Sequence, residues 1–144
     1  MSEKKLPIKF QLIHIEDNQF STFEEMLDVE KPIKQEIGFG YGVDVENSAV
    51  AVSMEFVLHK GEKHLLKQKI TCFFEISLDD FENQLRKEKE VVLPCWLGKH
   101  LAMLTVGTAR GVLFANTKNT KFNKYLIGLI NVDEMFNKDI FIEV

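Results

Sequence analysis

Three alternating apolar patterns between residues 34 and 78, separated by two tight turns, constrain this chain more than any other feature. Over residues 34–46, Ile37, Phe39, Tyr41, Val43 and Val45 fall on one side, and Gly38, Gly40, Gly42, Asp44 and Glu46 on the other. Period two marks a strand whose faces meet different surroundings. Asn47-Ser48 is turn chemistry, and Val50, Val52, Met54, Phe56 and Leu58 form the apolar face of the next strand. Lys60-Gly61-Glu62 supplies the second turn. Residues 63–78 then place Leu66, Ile70, Cys72, Phe74 and Ile76 on one face, with Gln68 as the polar exception. Connections this short force neighbouring, antiparallel strands, because a parallel crossover needs about a dozen residues.

A further strand is predicted at 7–15, where Ile8, Phe10 and Leu12 alternate with Lys9 and Gln11, and Asp17-Asn18 is expected to break it. Ser21-Thr-Phe-Glu24 has capping-box spacing, predicting a helical turn over 22–27 that Pro32 closes off. Ser77-Leu-Asp-Asp80 is a second cap signal before a short helix at 81–86. Residues 86–90 are a charge run, read as a solvated loop or helix face.

Pro94 opens the longest helical pattern, since proline is well suited to the first helical position. The helix is predicted to run to about Asn116, burying Leu97, Leu101, Leu104 and Thr108, with Trp96, His100, Met103, Gly107 and Arg110 as an adjacent stripe. Gly98, Gly107 and Gly111 each weaken it by roughly 1 kcal/mol relative to Ala, so they point to close packing against another backbone. Residues 121–130 read as apolar and extended. Asn131 caps a short helix with Asp133 and Glu134 in its first turn, Ile130 stapled to Met135, and Phe136 as its anchor. The tail from Ile140 reads as a terminal strand or an apolar contact. The prediction is one α+β domain over 1–144: a four-stranded antiparallel sheet packed with one long helix and a short C-terminal helix.

The net charge of −4 argues against nucleic acid. No apolar run reaches the length of a membrane span, and Met1 to Lys5 lead into the first strand without an apolar leader. Two isolated cysteines, Cys72 and Cys95, suit a reducing compartment. The expected location is cytoplasmic. Twelve Phe against one Trp and two Tyr supply apolar area without polar handles.

Few residues suggest chemistry. Gly38-Phe-Gly-Tyr-Gly42 lacks the spacing of a nucleotide loop; it leaves a strip without side chains, which a backbone, a ring or an extended peptide can approach. His59 and His64 flank a turn, but two ligands do not close a zinc site. Cys95 lies at a helix start that favours thiolate, yet His100, five residues on, is out of phase as its base. No metal or cofactor is expected, and no catalytic residue.

The order of these elements resembles the SecB export-chaperone family. Ala109-Arg110-Gly111, the extended Leu126-Ile127-Gly-Leu129-Ile130 and Asn131-Val-Asp133-Glu-Met-Phe136 are similar to that family's helix end, loop and N-x-D-x-L-F helix start. Phe10-Gln-Leu-Ile-His-Ile and Phe20-Ser-Thr-Phe are similar to its first strand and following loop. The likeness covers about Phe10 to Phe136. The chain departs by lacking the glycine-rich aromatic run after the fourth strand, by having no proline in the loop, and by a second helix shortened after Phe136. The shortened end weighs against docking to the SecA motor.

The resemblance implies a non-enzymatic chaperone holding unfolded or nascent polypeptide, in export or, as for SecB-like chaperones of antitoxins, in toxin control. It places the groove near the glycine strip and the 122–130 loop, with Phe39, Tyr41, Phe122, Tyr125, Leu126 and Leu129 as contacts. It also implies a dimer or dimer of dimers with the long helices sandwiched between sheets, an interface that would use Trp96, His100, Met103, Gly107, Arg110 and Gly111. Two alternatives remain: a small-molecule or lipid-type carrier or an enzyme using the same sheet-and-helix cavity, for which Gln68, His100 and Arg110 are the available polar groups, and a non-catalytic assembly subunit.

Overall fold

A computed structural model describes residues 7–144; the expectation of no apolar leader rests on residues outside that range. Four strands, β1 (Phe10–Thr22), β2 (Ile33–Asp44), β3 (Ala49–Lys60) and β4 (Lys63–Ile76), form an antiparallel sheet in the order β1-β4-β3-β2. The helical turn α1 (Leu78–Asp80) continues as a π-type turn, Phe81–Leu85. β5 (Glu90–Leu93) leads into the long helix α2 (Cys95–Thr117), and the chain ends in α3 (Val132–Met135) and β6 (Ile140–Glu143). β5 and β6 pair as a separate antiparallel ribbon. The predicted α+β architecture is therefore present, and the tail is a strand.

β1 extends seven residues past the predicted end at Ile15. The register slips at Leu12/His14 and Asp17/Gln19, so Ile13 and Asn18 are extra residues in bulges. Asn18 accepts a 2.6 Å hydrogen bond from Thr71 Oγ1, and the turn-forming pair distorts the strand without ending it. The capping box does not form. Phe23, not Ser21, precedes the 3-10 turn Glu24–Met26, with no side-chain cap. Asn131 does cap α3, accepting from the Glu134 N–H at 3.2 Å.

α2 lies across β3 and β4. Val52, Met54, Ile70, Cys72, Leu101 and Thr105 fill the interface, each at most 1% exposed. The helix is rotated from the predicted phase. Thr105 and Ala109 take buried positions, while Leu104 is 41% exposed. Small side chains let the helix settle close to the sheet, so packing space overrode the larger hydrophobicity of leucine.

Gln68 is buried; its Nε2 donates to the Ala109 carbonyl at 3.1 Å, and its Oε1 finds no partner. The Ala109 carbonyl lies inside α2, where the helical ladder serves it. Relief of the unpaired oxygen should outweigh the lost bond. Gln68→Met is expected to stabilise the fold by about 1 kcal/mol, read as a melting midpoint about 3 °C higher.

Candidate functional site

β2 forms one edge of the sheet and pairs with β3 in an unbroken register of twelve residues. Among the described residues, no backbone hydrogen bond leaves β2 except to β3. The opposite edge, β1, is distorted by its two bulges, which protect an edge against pairing. β2 has no such protection, and Gly38 carries open space where a side chain would stand.

The helix-facing side of β2 carries Gln35, Ile37, Phe39, Tyr41 and Val43, opposite buried Leu58, Phe56, Met54, Val52 and Val50. α2 does not reach across this row; the C-terminal segment covers it. The Phe136 ring meets Phe39 and Tyr41 edge-on, at 5.3 and 5.8 Å between centroids. Tyr41 donates its hydroxyl to the Gly98 carbonyl at 2.7 Å. Burial, and secondarily Cys95 nearby, hold this phenol protonated far above the usual tyrosine range. At Gly98 a Cβ would meet the end of the Ile140 side chain, so the glycine leaves room for the chain's own tail. Asp139 accepts from the Cys95 backbone N–H at 2.8 Å, and Lys99 pairs with exposed Asp133 at 3.0 Å.

The glycine strip lies on the other face of the sheet. There Glu36, Gly38, Glu55 and Val57 border an open cleft of about 420 Å³. The strip and the aromatic row thus flank one edge strand from opposite sides and do not form a single groove wall.

Residues 118–131 run from α2 to α3 alongside the start of β2. Gln35 Oε1 accepts from the Gly128 N–H at 2.7 Å, and Arg110 donates to the carbonyls of Ile127 at 3.3 Å and Gly128 at 2.9 Å. Ile127 is buried. The backbone is pinned, yet Leu126 is 66% and Leu129 99% exposed. Such exposure on a fixed loop has no role in this chain's own packing.

The contacts implied at the sequence level separate accordingly. Leu126 and Leu129 stand in solvent. Phe39 and Tyr41 are half-buried under Phe136. Tyr125 is half-buried, with its ring 6.4 Å from Phe122 and Lys124 above it. Phe122, at 2% exposed, belongs to the core and has no ring face to offer. On α2, Met103 is 56% exposed, and a Cβ added at Gly107 or Gly111 would meet nothing within 4 Å, so the close packing expected of these two glycines is not made within the chain. His100 packs its ring on Phe10 at 5.5 Å, Trp96 is half-buried against the core, and Arg110 is tied to the loop. Gln68, His100 and Arg110 do not converge on a common point. The sequence reading put Leu104 on the face of Leu97 and Leu101 and did not name Phe114, which is 53% exposed; both complete the stripe with Met103, Gly107 and Gly111. The spacing i, i+1, i+4, i+8, i+11 was there to find.

No family model matches the chain, and no curated protein sequence matches it. Among solved structures, the fold is similar to that of a SecB-like chaperone. That protein, from Mycobacterium tuberculosis, was solved in complex with a ChAD peptide from the HigA1 antitoxin; the TM-score is 0.51 at 10% identity, over 85% of this chain and 91% of that one. A protein of unknown function from Streptococcus agalactiae aligns over 88% of this chain and all of its own, at TM-score 0.40 and 11% identity. The likeness is one of fold. No helix among the described residues is long and apolar enough to cross a membrane.

Proposed function

We propose that this chain binds non-native polypeptide along β2 and the pinned 118–131 loop, without covalent chemistry. The observation that carries the reading is the exposure of Leu126 and Leu129 on a loop whose backbone is held by Gln35 and Arg110. An extended client can add to the unpaired edge of β2 by backbone hydrogen bonds, which are indifferent to sequence. Its alternate side chains then face the two leucines on one side and the glycine strip on the other. The filled space between sheet and α2 and the scattered polar groups weigh against the carrier alternative. The peptide held by the SecB-like chaperone of similar fold supports a polypeptide client; antitoxin control and export are both compatible uses of one such surface. The reading is tested by fluorescence anisotropy with a labelled, extended apolar peptide. Saturable binding is expected, and an unchanged anisotropy at saturating protein removes the proposal.

A different observation favours self-association as a companion property. α2 runs beside β1, with His100 against Phe10 at one end and Asn116 donating to Asp17 Oδ2 at 2.8 Å at the other. Between them, exposed Met103, Leu104 and Phe114 face the same side as Leu12 and Ile15, which are 43% and 42% exposed opposite buried Phe74 and Cys72. We propose that a second copy covers this face. Met103→Glu with Phe114→Glu should convert the assembly to monomer in sedimentation velocity while circular dichroism stays unchanged. A wild-type protein that sediments as monomer would remove this companion reading.

A further inference from the structure

Three lysines meet where the Glu24–Met26 turn abuts the β3–β4 hairpin. Lys60, the last residue of β3, is 6% exposed and donates to the carbonyls of Met26 at 2.8 Å and Leu27 at 2.9 Å. A buried ammonium without a counter-charge is costly, and among the described residues no carboxylate pairs with it. The two carbonyls offer only the partial charge of a helical end. An ammonium has three donors, so one remains.

Directly across the hairpin from Lys60 stands Lys63. Like charges in that position repel. Lys31 arrives from the connection before β2, its Nζ 3.2 Å from the point a Gly61 Cβ would occupy. Gly61 has a positive φ of 63° and no side chain, and both properties open the place that Lys31 takes. Lys31 and Lys63 likewise have no ion-pair partner among the described residues. All three line an open cleft of about 530 Å³ with Met26 and Val29 as its apolar part, and Glu62 is its one acidic residue.

We propose that this cleft is an oxyanion site that takes a phosphate group. A phosphate dianion would accept the remaining Lys60 donor and bridge the ammonium groups of Lys31 and Lys63, turning a repulsive cluster into a paired one. Met26 and Val29 would contact the organic part of a phosphate ester. The site shares no residue with the polypeptide-binding surface, and its occupancy neither requires nor excludes a client.

The test is calorimetric titration of the full chain with inorganic phosphate at constant ionic strength. Saturable binding in the millimolar range or tighter is expected. Lys31→Gln and Lys63→Gln should each weaken it about tenfold, the loss of one charge-assisted hydrogen bond. Both side chains are exposed, so these variants keep the fold where Lys60→Met endangers it; circular dichroism confirms that. No saturable heat in the wild type, or equal binding by wild type and both variants, overturns the proposal.

Discussion

Replacing Leu126 and Leu129 together by serine is expected to weaken polypeptide binding about a hundredfold, with almost no effect on stability. The two effects separate because the side chains are exposed while the loop is fixed through its backbone. Partial burial of a leucine against a client is worth about 1.4 kcal/mol, near the low end for burying such a side chain, and each such increment is about tenfold in affinity. Loss of both contacts therefore multiplies to about a hundredfold. Anisotropy titration measures the affinity and thermal melting the stability. A double variant that binds as the wild type does would move the client elsewhere on the molecule, most naturally to the α2 face. A double variant that unfolds would mean that the leucines hold the loop.

The second large effect concerns Phe136. Its ring is the aromatic contact of the C-terminal segment with Phe39 and Tyr41, and α3, four residues long, cannot stand by itself. Phe136→Ala removes the ring's apolar area and two edge-to-face contacts, an expected loss of about 3 kcal/mol, or about 10 °C in the melting midpoint. The Lys99–Asp133 pair offers little compensation, because its carboxylate is exposed. Tyr41 and Phe39 should then become accessible, seen as greater solvent quenching of tyrosine fluorescence. A midpoint within about 2 °C of wild type would show that the β5–β6 ribbon holds the tail without the ring.

The sheet was legible because its strands obey period two over many residues, and because turns such as Lys60-Gly61-Glu62 leave one way to connect them. What escaped was decided by contacts between distant residues. Asn18 looks like a strand breaker until Thr71 offers it a hydroxyl across the bulge. The rotation of α2 depended on how small Thr105 and Ala109 fit the sheet, which hydrophobic spacing undervalues. β5 was hidden at the end of a charge run, and its partner β6 lies about fifty residues downstream. Leu126 and Leu129 could be named as contacts, but the pins that fix their loop, Gln35 and Arg110, carry no local signal. Phe122 was misplaced for the complementary reason: the resemblance put the whole 122–130 loop beside the groove, while the core takes this ring.

The polypeptide-binding claim is tested most directly by light scattering. An unfolded protein that aggregates on dilution is mixed with a molar excess of this chain. Suppressed scattering, restored by the Leu126→Ser/Leu129→Ser variant, is expected. Scattering unchanged by the wild-type chain at every ratio would contradict it.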